Sequence, residues 1–513
     1  MTNWKFYGRR DELEAIKALL TRQRWFFCAI SGRRRIGKTS LIREALQETR
    51  FGATSGGGAL YLQVPDSDER DVVAVFADAL EAFADACPGC LPETLVSARL
   101  RRFSDMARAI GALCQAGIVV VIDEFQYFNR KSLSPFTSLL QAEVDALTGS
   151  TRGGIFVLGS IHTELTALLE DRGSPLYARV TDRLTLDHWD FATLFEVFAD
   201  QGLDSPHDWL TFWSVFEGVP KFYRDCAYQG TFAADGRAAA GRIIDSLFLS
   251  ARAPLIEEAG TWFLRELRGS GVSLLRLLAR QQPCAHQQLS AAYSESLGDG
   301  RSFATYLAAL IERYRLVERL SPVFAPPSSR QARYQIGDNF LAAWLAAIEP
   351  AVQAARVQPL EQALKIGTLR LANHEGHSFE RMIRKLMAEA SRRGVADFPL
   401  TDLVHGYWNR PRDAARLIEI DIVAVNEMEE RVRFGSCKRS SGKHSREALA
   451  TFEQHIADFL VTASGRRFKS WRHERALYSP EFPDDERGAL QARGYVCVDL
   501  HDYRRWLKMP TTN

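Results

Sequence analysis

Ser31-Gly32-Arg33-Arg34-Arg35-Ile36-Gly37-Lys38-Thr39-Ser40 decides the fold of this chain, because it matches G-x-x-x-x-G-K-[ST]. The apolar run at 25–30 reads as a buried strand, and 40–46 reads as an amphipathic helix, so the motif joins strand to helix. That is the context a phosphate-binding loop requires. Gly32 and Gly37 let backbone N–H groups turn toward phosphate oxygens, and the helix N-terminus adds its partial positive charge. Lys38 reaches the outer phosphates and Thr39 can ligate Mg²⁺. Arg33, Arg34, Arg35, Ile36 and Ser40 complete the candidate nucleotide-binding set.

A second apolar strand, 117–122, ends in Asp123-Glu124 and resembles the Walker B element of ATP-hydrolysing phosphate-loop proteins. The two carboxylates have different expected roles. Asp123 holds Mg²⁺ through the Thr39 shell, and Glu124 polarises the attacking water. Paired acids after a strand are common, and the upstream loop is what makes this pair specific.

With 513 residues the chain is long enough for several domains, and 46% hydrophobic with 25% charged residues excludes global disorder. The net charge is only +2, so nucleic-acid binding has to come from local basic patches. No run approaches the ~18 to 20 apolar residues of a membrane span, and the first residues contain no signal-peptide core. A cytoplasmic location without membrane partners is the expectation. Cys87-Pro88-Gly89-Cys90 has no second ligand pair at finger spacing, so a loop or helix end outweighs a metal or redox role. His374-Glu375-Gly376-His377 is HExH and not HExxH, so it departs from the zinc-binding pattern.

Further strands are expected at 59–64, 154–159 and 183–186, with a long helix at 71–86. One strand inserted between the two Walker strands gives a doubly wound parallel sheet. The order of Phe6-Tyr7-Gly8-Arg9, the phosphate loop, Asp123-Glu124-Phe125-Gln126, Leu158-Gly159-Ser160 and Ser174-Pro175-Leu176-Tyr177-Ala178-Arg179 resembles the archaeal-type prokaryotic ATPases of the AAA+ and STAND group. That resemblance covers roughly the first half of the chain. It implies that Phe6, Gly8 and Arg9 lie near the adenine and that Ser160 occupies the position sensing the γ-phosphate. It also makes Arg179 the candidate transition-state arginine, acting in cis or from a neighbouring subunit, with Arg172 as its competitor. Helical sequence from 188, with Phe191, Leu194, Phe195 and Phe198 on one face, resembles the family's lid, and Gly218-Val219-Pro220 its nucleotide-closing element.

Helical segments at 273–281, 285–294 and 301–314, then 316–320 and 334–336 as a hairpin, read as a winged helix. Its groove-entering helix would present Arg301, Ser302, Thr305 and Tyr306, and its wing Arg330 and Arg333. Protein docking is the other use of such a module.

From Gly376 the order is a helix carrying Glu380, a strand 419–425 carrying Asp421, and a strand 431–438 ending at Lys438. This resembles the PD-(D/E)XK nuclease core. In it carboxylates hold Mg²⁺ against a scissile phosphate while the lysine works on the attacking water, so Asp421 and Lys438 take those roles and Glu380 bonds a metal-bound water. Ser436 stands where the pattern has glutamate. Losing a carboxylate ~4 Å from a cation removes roughly 4 kcal/mol at an effective dielectric near 20. Glu419 or Glu380 could compensate. Lys438, Arg439, Lys443, Arg446, Arg466, Arg467, Lys469 and Arg472 are candidate phosphate contacts, or an ordinary solvated surface, and the loop Arg410-Pro411-Arg412 has no assignable chemistry.

The expected architecture is multidomain α/β, comprising the ATPase sheet at 1–187, a helical lid at 188–265, a winged helix at 266–340, a helical linker at 341–375 and a restriction-endonuclease-like domain at 376–513. The expected function is an ATP- and Mg²⁺-dependent switch engaging DNA through the last domains, as a homo-oligomer or with a protein partner. An ATP-regulated, metal-dependent DNA nuclease in defence or mobile-element maintenance is one alternative, and an ATP-dependent signalling scaffold is the other.

Overall fold

A computed structural model describes residues 4–22, 24–49, 58–150, 152–160, 162–262, 264, 267, 270–297, 302–326, 331–398, 401–409 and 417–508. The chain divides into two compact units. Lys5–Trp189 with Val219–Lys221 form the first, and Asp190–Gly218 with the chain from Phe222 onward form the second. Among the described residues no helix is long and apolar enough to cross a membrane.

In the first unit five parallel strands, β1 (Phe26–Gly32), β2 (Ala59–Gln63), β3 (Val119–Asp123), β4 (Gly154–Gly159) and β5 (Asp182–Leu186), lie in the order β2-β3-β4-β1-β5. β4 is therefore the strand between the two Walker strands. Their near-continuous apolar runs follow from burial on both faces, since alternate residues enter different cores. Phe27, Val120, Ile122, Ile155 and Val157 face one core with the helices Glu69–Ala86 and Phe103–Gln115, whereas Cys28, Ile30, Val119, Val121 and Phe156 face the other with Arg10–Thr21 and Lys38–Glu48. All carboxyl ends of these strands point one way, which gathers the phosphate loop, Asp123 and Ser160 at one edge.

The second unit begins with helices Phe191–Asp200 and Pro206–Phe216, and the expected face of Phe191, Leu194, Phe195 and Phe198 is buried. Asp190 caps the first of these helices through Thr193 N–H at 2.9 Å. Next come helix Ser270–Gln281, β6 (Cys284–Ala285), helices His286–Leu297 and Phe303–Ala308, then β7 (Val317–Leu320) and β8 (Arg333–Ile336), paired antiparallel in the order β6-β8-β7.

The long helix Leu360–Arg392 runs unbroken through the border expected at 375/376. Neither of its glycines breaks it. Gly367 is there because Ile244 and Ala351 approach too closely for a side chain, a Cβ standing 2.8 and 2.9 Å from them. A separate five-stranded sheet follows, with β9 (Leu403–Trp408), β10 (Glu419–Asn426), β11 (Arg431–Cys437), β12 (Arg472–Tyr478) and β13 (Val496–Val498) in the order β13-β12-β11-β10-β9. β9, β10 and β11 pair antiparallel, and β11, β12 and β13 parallel, with helix Arg446–Val461 as the crossover. The register of β9 on β10 shifts between Ile420 and Val423, so Asp421 sits in an irregularity of the pairing.

Candidate functional site

The phosphate loop is shaped by close approach as much as by turn geometry. A Cβ on Gly32 would stand 2.6 Å from the Leu186 carbonyl oxygen, so the end of β5 packs directly on the loop. Gly37, with φ at +97°, precedes the helix Lys38–Glu48, and Pro220 lies 3.9 Å from where its Cβ would be. Lys38 is buried, and its Nζ donates to the Gly32 and Arg33 carbonyls at 2.8 and 3.1 Å. Burial pushes its pKa down to about 8, against the opposing pull of Asp123 and Glu124. The loop is thus closed around its own ammonium, in the position where phosphate oxygens can replace the two carbonyls.

Asp123 and Thr39 meet across the loop, with Thr39 Oγ1 donating to Asp123 Oδ2 at 2.6 Å. The same carboxylate oxygen accepts from Tyr61 OH at 2.6 Å, and Oδ1 accepts the Glu124 N–H at 2.8 Å. Burial and this bond push the Tyr61 phenol pKa up. Glu124, at φ +57°, turns its carboxylate toward the end of β4, where Ser160 Oγ donates to Oε2 at 3.3 Å and Gln126 Nε2 donates to the same oxygen. Gln126 also accepts the Ser160 N–H at 3.3 Å. The oxygen-rich pair Thr39 and Asp123 has the hard-donor chemistry that Mg²⁺ takes. Glu124 stands separately, free of that pair and held by amide and hydroxyl.

In the second unit the long helix and β10 bring Glu380 and Asp421 into one pocket, with Arg384, His405, Glu419 and Arg333. Burial and the neighbouring Asp421 push Glu380 up to about 8. Asp421 is raised by burial too, although Lys438, 3.9 Å away, and the Cys437 N–H, 2.8 Å away, oppose that. Ser436 is buried on β11. Glu419 pairs with Arg333 at 2.5 Å and Glu380 faces Arg384 at 4.0 Å, and both carboxylates line the pocket with Asp421. Among the described residues no group of three or more His, Cys, Asp or Glu side chains is arranged to hold a metal ion.

Residues 6–222 match a family described as an ATPase domain predominantly from Archaea. The first unit is an archaeal-type ATPase domain. Residues 344–449 match a second family, of archaeal and bacterial proteins of unknown function. An uncharacterized protein of Methanocaldococcus jannaschii is 22% identical over 446 residues, covering 84% of this chain and 87% of its own. Among solved structures, the Walker-type ATPase of Pyrococcus abyssi is 18% identical and aligns over 66% of this chain and 96% of its own with TM-score 0.47. The ORC2 protein of Aeropyrum pernix, in ADPNP-ADP complexes, is 14% identical over 75% and 98%, with TM-score 0.46.

Within the ATPase domain the other candidates make the following contacts. Arg9, expected near the adenine, donates to the Ile36 carbonyl at 3.3 Å and to that of Asp187, and pairs with Glu12 at 3.0 Å; it braces the back of the phosphate loop. Phe6 packs on the adjacent core and Gly8 supports the turn at φ +62°. Arg33 reaches His188 at 3.2 Å, Ile36 is fully buried, and Ser40 is exposed. Arg179 forms a bidentate pair with Asp145 at 2.7 and 2.9 Å and also bonds the Pro175 and Tyr177 carbonyls, while Arg172 is exposed. Cys87 and Cys90 are bonded to each other. Tyr61 and Gln126 are functional candidates that pattern reading missed. The only signal was register, since β2 places Gln63 opposite Asp123 and so brings Tyr61 beside the same strand end.

In the second unit Arg333, expected on the wing, lies in β8, is held by Glu419 and stacks 4.8 Å from the Trp408 ring centre. The hairpin loop is bound too, with Trp408 Nε1 donating to the Gln331 carbonyl at 2.7 Å and Val323 N–H to that of Gly406 at 2.9 Å. Thr305 is exposed, and Ser302 and Tyr306 are half-buried. Arg301, Arg330, Arg410, Pro411 and Arg412 lie outside the described residues. His374 is buried against the Ser214 carbonyl at 3.2 Å and pushed down to about 4 by that burial, and Glu375 accepts from Thr211 at 2.7 Å and from Arg439. The HExH stretch is therefore helix packing. Arg467 pairs with Glu427 at 3.2 Å and Arg472 with Glu474 at 3.8 Å, whereas Lys443, Arg446, Arg466 and Lys469 are exposed.

Proposed function

We propose that this chain is an ATP-hydrolysing switch whose nucleotide state governs DNA engagement by a winged-helix module and a nuclease-like C-terminal domain. The observation that carries the ATPase part is the separation of two carboxylates at one strand end, Asp123 on Thr39 and Glu124 on Ser160. Thr39 and Asp123 would hold Mg²⁺, which supplies charge neutralisation at the phosphates when bound. Lys38 exchanges its loop carbonyls for phosphate oxygens. Glu124 accepts hydrogen-bonding from the attacking water and aligns it, while Ser160 and Gln126 hold the carboxylate in place.

The downstream part rests on element order. Helix, strand, helix, helix and hairpin is the sequence of a winged helix, and a helix followed by three antiparallel strands, a crossover helix and parallel strands is that of the nuclease-like core. Ser436, with Glu419 turned to Arg333, favours a domain that holds DNA without cutting it efficiently. Incubating the chain with single- and double-stranded DNA, with and without ATP and Mn²⁺, tests the reading. Salt-sensitive, nucleotide-dependent retention of intact DNA is expected. Metal-dependent cutting would establish the nuclease alternative, and no binding at low salt the scaffold.

A further inference from the structure

Strand β2 divides its side chains between two cores. Leu60 and Leu62 enter one with Phe27 and Ile122, whereas Ala59 and Tyr61 lie against the other, which holds Leu41 and Ile42 of the helix Lys38–Glu48. The register sets Tyr61 opposite Val121, two residues short of Asp123 and on the same face of the sheet. A phenylalanine would pack there equally well. The hydroxyl is what needs a reason, and it donates to Asp123 Oδ2 at 2.6 Å.

The ring is held from the helix. Arg43 stands with its guanidinium 5.6 Å from the Tyr61 ring centre, and it follows Thr39 by four residues. One helix face therefore presents both the Thr39 hydroxyl and the cation that steadies Tyr61. Both hydroxyls converge on the same carboxylate oxygen, while Oδ1 takes the Glu124 N–H at 2.8 Å. A carboxylate oxygen has two lone pairs, so Oδ2 is fully engaged and Oδ1 keeps one to offer.

We propose that Tyr61 is a positioning residue of the Thr39–Asp123 cation site, its hydroxyl holding the Asp123 carboxylate in orientation and Arg43 holding Tyr61. The inference rests on the ATP-binding reading and deepens it, because it names side chains that set cation affinity apart from nucleotide affinity. Partners of this outer kind fix how a ligating group points, and losing one typically costs about 10- to 100-fold in metal affinity. Without the Tyr61 hydroxyl, Oδ2 depends on Thr39 alone, the same group that is to face the cation. Lys38 and the loop glycines are left as they are, so binding of metal-free nucleotide is kept.

The test titrates Mg²⁺ into the full chain with a fluorescent ATP analogue, for wild type, Tyr61→Phe and Arg43→Ala. In Tyr61→Phe the Mg²⁺ concentration giving half of the affinity gain should rise about tenfold, while affinity in EDTA stays within about twofold of wild type. In Arg43→Ala the midpoint should rise about threefold, as expected for loss of one exposed cation–π contact. A packing role alone would weaken binding in EDTA as much as in Mg²⁺ and leave the midpoint where it was; that result overturns the proposal. Arg43 is exposed, so Arg43→Ala decides the matter should Tyr61→Phe fail to fold, an unchanged midpoint again overturning it. Wild-type binding indifferent to Mg²⁺ overturns it too. Absence of analogue binding by wild type is a different result, which defeats the ATP-binding reading itself.

Discussion

Lys38 carries an ammonium that the fold has buried and satisfied with its own carbonyls, and this gives nucleotide binding a pH dependence of definite sign. In the free site its pKa is about 8, and the charge of a bound triphosphate favours the ammonium, so the value rises on binding. Binding therefore takes up a proton above pH ~8, and the dissociation constant should climb toward about tenfold per pH unit there. Titration calorimetry across about pH 7 to 9.5 checks it. A flat affinity would contradict the assignment of Lys38, and Lys38→Ala should abolish tight binding at every pH. Asp123 shows the complementary economy of a small site: one carboxylate takes three donors, from Thr39, Tyr61 and Glu124, before any cation is considered.

Among the elements, the long helix offers a comparison in which packing and propensity oppose each other. Replacing glycine by alanine inside a helix gains about 1 kcal/mol of propensity. At Gly376 nothing lies within 4 Å of the new Cβ, so Gly376→Ala should raise the melting temperature. At Gly367 the Cβ would meet Ile244 and Ala351 at 2.8 and 2.9 Å, and overpacking of about 1 to 3 kcal/mol should outweigh the gain. Thermal melts giving both variants the same sign would refute this packing account. Strands β1, β3 and β4 were legible because both faces are apolar, whereas β12 was not, because it opens Arg472-His473-Glu474-Arg475. Glu474 is buried there by Arg431 and Arg433, at 2.6 and 2.7 Å, from the adjacent strand. Charges that neutralise one another across a sheet leave no trace in a hydrophobic pattern. The Walker residues were legible since loop and helix enforce them locally, but Tyr61 is 62 residues from Asp123 and Arg333 is 86 from Glu419. Only the folded register joins such pairs.

For the whole molecule, the question is what a pocket of crowded carboxylates does in a chain that also carries an ATPase domain. Ser436 adjoins Cys437, whose N–H holds Asp421, while burial already raises both Asp421 and Glu380. Ser436→Glu should therefore lower the melting temperature in chelator and recover it in Mn²⁺, with DNA cleavage appearing only in the metal-loaded variant. Equal stability with and without metal would contradict the nuclease-like reading of this domain. The proposed switch depends above all on ATP hydrolysis, with Glu124 acting on water and Asp123 on the nucleotide side. Single-turnover hydrolysis and nucleotide binding, measured side by side for wild type and Glu124→Gln, test it most directly. A dissociation constant within about threefold of wild type is expected, with hydrolysis slower by roughly a hundredfold or more. Equal hydrolysis rates, or loss of binding along with hydrolysis, would contradict it.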